Sequence, residues 1–191
     1  MNIEKWKKLT KRKQNDIIKN KKLSIDFIKE IWDSLTMRQR TKICIYNKLP
    51  IDFIKKVWNS LSANQREWVS IIQDLPIEFI EEIWDKEGEQ SRYFLVTCQK
   101  LPIEFIDKNW DKFTVKERDG ICKECELPTS FIEKIWYGLD KYQKDRICKY
   151  QNLNIDFIKK IWEELTPGQR EKIQKRDPLT KFITYSLEER R

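Results

Sequence analysis

Within residues 49–74 the apolar side chains Ile54, Val57, Trp58 and Leu61 fall at i, i+3, i+4 and i+7, one stripe of an α-helix. The pattern returns every 26 residues, and its tryptophan recurs in register as Trp6, Trp32, Trp58, Trp84, Trp110, Trp136 and Trp162. A fixed period of this length marks an architecture in which each unit hides its apolar face against the next. The predicted fold is all-α, an α-solenoid of helix-turn-helix (αα-hairpin) repeats.

Two helices are expected in each unit. Helix A carries the tryptophan stripe; Pro50, Pro76, Pro102 and Pro128 suit its first turn, and the acid two residues later (Asp26, Asp52, Glu78, Glu104 or Asp156) faces the positive end of its dipole. The start of helix B is marked by Thr10, Thr36, Ser62, Gly88, Thr114, Asp140 and Thr166, all favourable N-caps. Three residues on, Gln39, Gln65, Glu117, Gln143 and Gln169 complete capping boxes in five of the seven units. Helix B is anchored by Ile17, Ile43, Val69, Leu95, Ile121, Ile147 and Ile173. Each helix should span about eleven residues, roughly 16 Å. Helices this short depend on packing between neighbours.

Residues 1–22 match the second part of a unit and are expected to cap the array; six complete units follow at 23–48, 49–74, 75–100, 101–126, 127–152 and 153–178. From Leu179 the match degrades, and residues 179–191 are expected to form a closing helix and charged tail. The repetition is continuous and no linker interrupts it, so one elongated domain is expected.

Burying an indole removes roughly 150–250 Å² from water, so the tryptophan column reads as core. A second column holds Arg40, Arg66, Arg92, Arg118, Lys144 and Arg170, three residues before the helix B anchor. It reads either as a phosphate track or as side chains whose stems pack on the seam and whose charges pair with acids of a neighbouring unit, such as the Asp52 or Glu78 column.

Net charge is +8 over 191 residues, unevenly placed. Residues 1–22 carry +7, the remainder only +1, and residues 75–126 hold thirteen acids against eight bases. This distribution argues against one continuous positive groove. The basic segment, with Lys7, Lys8, Lys11, Arg12 and Lys13 at its centre and extending to Lys21 and Lys22, has three readings: a solvated cap, a nucleic-acid or anionic-surface contact, and a nuclear-import signal.

The chain has no histidine, which removes the side chain best suited to proton transfer near neutral pH, and no glycine-rich phosphate loop. The spacing Cys122-Lys-Glu-Cys125 lacks the further ligands a structural zinc site needs. No enzyme activity, cofactor or metal is expected. Five cysteines, three in one column (Cys44, Cys122, Cys148), read as small buried side chains in a reducing compartment. No apolar run approaches a membrane span. The expectation is an intracellular protein, cytoplasmic or nuclear. One alanine among abundant lysine, isoleucine and asparagine points to an AT-rich genome.

Departures from the repeat are where recognition is sought. One helix B column reads Asp16, Lys42, Trp68, Phe94, Gly120, Arg146, Lys172, and Tyr93 adjoins Phe94. Trp68, Tyr93 and Phe94 are read as an aromatic patch that binds a partner protein, the alternative being that they fill the groove between successive helices. The helix-turn-helix repetition is similar in kind to the tetratricopeptide, HEAT and pentatricopeptide solenoids, with a shorter period and without their motif residues. That resemblance implies a binding scaffold. The leading expectation is a protein-protein interaction module; the runner-up is an RNA or DNA binder using the basic ends and helix surfaces, and a plain spacer is the third reading.

Overall fold

A computed structural model describes residues 1–20 and 23–180. Among these residues there are fourteen α-helices and no strands, and the fold class is that of an all-α helical-repeat solenoid. They form two compact units, Met1–Gln99 and Lys100 onward. The boundary falls one residue before a repeat begins.

In the first unit the A helices are α1 (Ile3–Lys7), α3 (Ile25–Ile31), α5 (Ile51–Val57) and α7 (Ile77–Ile83). Its B helices are α2 (Lys11–Asn20), α4 (Met37–Tyr46), α6 (Ala63–Ile72) and α8 (Glu89–Cys98). The second unit has A helices α9 (Ile103–Asn109), α11 (Thr129–Ile135) and α13 (Ile155–Ile161), and B helices α10 (Val115–Glu124), α12 (Lys141–Tyr150) and α14 (Pro167–Arg176). Inside each unit successive B helices pack directly on one another. Their anchors are fully buried from Ile43 to Ile173, but Ile17 is only half-buried and Ile18 takes the inward place on α2.

All five anticipated capping boxes form, at Thr36/Gln39, Ser62/Gln65, Thr114/Glu117, Asp140/Gln143 and Thr166/Gln169. The box glutamines are buried, and they also reach the preceding repeat. Gln39 Nε2 donates to Gln14 Oε1 at 2.9 Å, and Gln65 Nε2 donates to the Met37 carbonyl at 3.0 Å. Gly88 caps α8 without a side-chain bond.

Helix A departs from expectation in two ways. The prolines stand at the N-cap, with extended ψ near 145°, outside the first turn. A proline carbonyl there still accepts the first helical bonds, as Pro50 does from Ile54 N at 3.1 Å. The α-helix is also seven residues long, not eleven, because the chain tightens at the tryptophan into a 3₁₀ turn such as Trp58–Ser60. The tryptophan carbonyl accepts the amide three residues on, as Trp58 does from Leu61 N at 3.1 Å, and its second lone pair stays available to a side-chain donor.

The tryptophans of the repeat column are buried, with Trp110 half-buried as the exception. Several meet the phenylalanine of the next helix A edge-on: Trp32 with Phe53 at 5.1 Å, Trp58 with Phe79 at 5.2 Å, Trp136 with Phe157 at 5.6 Å. Such pairs contribute about 0.5–1.5 kcal/mol beyond their buried area. Beside Trp110 the usual isoleucine or valine is Asn109, whose side chain bonds back to the Phe105 carbonyl at 2.9 Å.

A glutamine ladder also joins neighbours. Gln73 Oε1 accepts from Leu49 N at 2.9 Å, while its Nε2 donates to the carbonyls of Cys44 and Asn47 at 2.9 Å. Gln99 and Gln151 repeat the arrangement. Three bonds per glutamine satisfy backbone groups that the ends of short helices leave open.

Of the expected closing segment, Pro178–Thr180 form a 3₁₀ turn, with Thr180 N bonded to the Asp177 carbonyl at 3.1 Å. Residues 181–191, like Lys21 and Lys22, lie outside the described residues. No helix among the described residues is long and apolar enough to cross a membrane.

Candidate functional site

The arginine column packs on the tryptophan seam, as one of its two readings has it, but not against the acids named for it. Each cation lies over the tryptophan of its own repeat: Arg40 over Trp32 at 5.4 Å, Arg118 over Trp110 at 5.4 Å, Lys144 over Trp136 at 5.0 Å, Arg170 over Trp162 at 5.3 Å. Arg40, Arg118 and Arg170 also donate Nε–H to the tryptophan carbonyl at 3.0–3.1 Å, a second bond beside the one it accepts within the 3₁₀ turn. In the first repeat Gln14 replaces the arginine and makes the same bond to Trp6, at 2.9 Å. The Asp52 and Glu78 columns, proposed as partners, are exposed first-turn acids. The acid that Arg66 does meet is Glu87, at 3.0 Å.

Trp68 on α6 and Tyr93 and Phe94 on α8 are all half-buried. The rings of Tyr93 and Phe94 meet edge-on at 5.8 Å, and α6 packs on α8. Trp68 makes no ring pair among the described residues, so the structure joins two of the three rings and leaves the third on the adjoining helix. Part of each ring faces water.

Of the basic segment, Lys7 ends α1, Lys8 is its C-cap, and Lys11, Arg12 and Lys13 form the first turn of α2. All five are exposed. Lys7 comes within 3.9 Å of Glu4, a solvated pair. Three cations at the positive end of a helix dipole oppose its folding, by roughly 0.3–1 kcal/mol each. Helix stability gives no reason for them.

Charge follows the B helices closely. Helices α2, α4, α12 and α14 each carry a net +3, and α6, α8 and α10 are each neutral. The half-exposed Trp68, Tyr93 and Phe94 therefore sit on uncharged helices.

The most exposed rings of the second unit are those of Tyr137, Tyr142 and Tyr150, none of them among the residues expected to bind a partner. Tyr137 Oη donates to Glu164 Oε1 at 3.2 Å. Tyr142 and Tyr150 line an open groove of about 190 Å³ with Arg146 and Lys172. A signal was available: Arg146 and Lys172 belong to the same column as Trp68 and Phe94. Tyr150 also borders a larger groove of about 700 Å³ along Lys123–Pro128.

The cysteines of the Cys44 column are buried, and burial pushes the thiols of Cys44, Cys122 and Cys148 up to about 12. Burial, with Glu124 beside it, raises Cys125 to about 11. All four are neutral thiols at physiological pH, a poor starting point for nucleophilic or metal chemistry.

Comparison of the chain with protein families, curated proteins and solved structures finds no match.

Proposed function

We propose that the chain is a non-enzymatic α-helical repeat module that holds another protein on helices α6 and α8, with Trp68, Tyr93 and Phe94 as anchors. One observation carries this reading. At the outward neighbour of the helix B anchor the other repeats place Asp16, Lys42, Gly120, Arg146 and Lys172, so packing does not demand a ring there. Trp68 and Phe94 nonetheless occupy it, half in water, on helices with no net charge. Half-exposed aromatics of this kind dominate the energy of protein interfaces. Five free cysteines support a reducing, intracellular setting.

The test places a photo-crosslinking residue at Asn64, exposed on α6, in cells of the source organism. Discrete protein adducts that disappear with Trp68→Ser or Phe94→Ser, at unchanged melting temperature, are expected. Adducts that persist in both variants, or crosslinking to nucleic acid in place of protein, would overturn the reading.

A further inference from the structure

Helix α12 carries Tyr142, Arg146, Lys149 and Tyr150 at i, i+4, i+7 and i+8, one stripe about 12 Å long. Tyr142 is 74% exposed and makes no hydrogen bond or ring contact among the described residues. At the other end the Lys149 ammonium lies 4.9 Å from the centre of the Tyr150 ring, and Lys123 of α10 lies 5.8 Å from it. Between the two rings the groove toward α14 is walled by Arg146 and Lys172.

The cations here divide by task. Lys144 and Arg170 cover tryptophans, and Arg176 Nη1 donates to the Cys148 carbonyl at 3.0 Å. Lys172 holds Asp145 at 2.8 Å, and Lys175 holds Glu171 at 2.7 Å, so both acids of α12 and α14 are neutralised. Arg146 is half-buried in the groove, yet among the described residues it has no hydrogen bond or ion pair. Its charge favours the carboxylate of Asp119 on α10, but its hydrogen-bond donors, beside a bare ring, remain open to an acceptor.

We propose that the groove between α12 and α14 binds single-stranded nucleic acid, with Tyr142 stacking on a base and Arg146 and Lys149 contacting phosphates. Charge complementarity requires a polyanion. The bare ring narrows the choice, because a nucleotide presents a flat π-face and a phosphate on one monomer. An acidic peptide would engage the cations and leave Tyr142 without a matching group. A duplex keeps its base faces stacked and out of reach. The site is separate from the Trp68 patch and does not depend on the protein-binding reading.

The test is fluorescence anisotropy of the full chain with labelled mixed-sequence 12-mers: single-stranded RNA, single-stranded DNA, duplex DNA, and a poly-glutamate peptide of equal charge. Both single strands are expected to bind, and an RNA advantage would identify a 2′-hydroxyl contact. Two phosphate contacts predict an affinity loss of about sevenfold between 50 and 200 mM salt, at about 0.7 logarithmic units per contact. Tyr142→Ala should weaken single-strand binding by about 5- to 100-fold, and Tyr142→Phe should not. Arg146→Gln should weaken it and reduce the salt slope by about 0.7. Single-strand binding that survives both Tyr142→Ala and Arg146→Gln would overturn the assignment. So would a preference for the duplex, equal binding of the acidic peptide, or no binding at millimolar strand.

Discussion

Trp58 Nε1 donates a hydrogen bond to Glu87 Oε1 at 3.1 Å, and the same oxygen receives Arg66 Nη1 at 3.0 Å. The carboxylate stands in a column that elsewhere holds Leu9, Leu35, Leu61, Phe113, Leu139 and Leu165. Only 3% of its side chain is exposed. Trp32 and Trp136 face leucine at the matching place, and their Nε1 atoms are buried without an acceptor.

Removing Arg66 should therefore cost more than removing Glu87. Arg66→Met leaves a buried carboxylate with only the indole donor, and should lose about 2–3 kcal/mol. That lies below the range for a fully buried pair because a quarter of the Arg66 side chain remains in water. Glu87→Leu, which restores the repeat consensus, should fall within about 1 kcal/mol of the parent. Urea melts of both variants make the comparison, and a larger loss for Glu87→Leu would contradict it.

The tryptophan column should not be uniform. Trp136→Ala empties a closed site and should cost about 3–5 kcal/mol. Trp110→Ala should cost roughly half as much, because its ring is partly hydrated and flanked by Asn109. Denaturant midpoints rank the two, and the reverse order would refute the burial argument.

Gln151→Ala should open one loop of the second unit. The substitution strands Leu127 N and the carbonyls of Cys122 and Cys125, now bonded at 3.0, 3.0 and 2.7 Å. A loss of about 2–4 kcal/mol follows if water repairs part of the damage. Native-state hydrogen exchange at the Leu127 amide should accelerate, with the Leu49 amide, held by Gln73, unchanged.

Alkaline pH should destabilise the protein through three thiols. In the folded chain Cys44, Cys122 and Cys148 keep their protons up to about pH 12, because burial disfavours the thiolate. In the unfolded chain they ionise near pH 9, so above that value the unfolded state binds fewer protons and stability falls as pH rises. Each thiol should contribute about 1.4 kcal/mol of loss between pH 8 and pH 10. Their replacement by valine, already present in this column as Val96, should flatten the decline by roughly 4 kcal/mol. Urea midpoints of parent and triple variant at both pH values test this, and parallel curves would refute it.

The candidate surfaces were only partly legible in the chain. Trp68, Tyr93 and Phe94 stand out as departures from a repeat, and half-burial leaves them available for contact. Tyr142 and Arg146 were harder to see, because tyrosine and arginine on a charged helix look like ordinary surface. Their interest depends on which neighbouring cations are already occupied, and that is a matter of contacts.

What the sequence determined alone is the local grammar: the 26-residue period, two helices per unit, the buried tryptophan stripe and five capping boxes. Each of these is set within one helical turn or by exact recurrence, so spacing suffices to read it. The tertiary structure decided the pairings 24 to 29 residues apart: Gln73 with the Cys44 carbonyl, Trp58 with Glu87, and Lys172 with Asp145. Those meet only when one unit stacks on the next, and the offset between units is set by side-chain packing that no single repeat contains. It also decided that the arginines cover their own tryptophans, because the 3₁₀ turn at the tryptophan leaves no mark in the hydrophobic pattern.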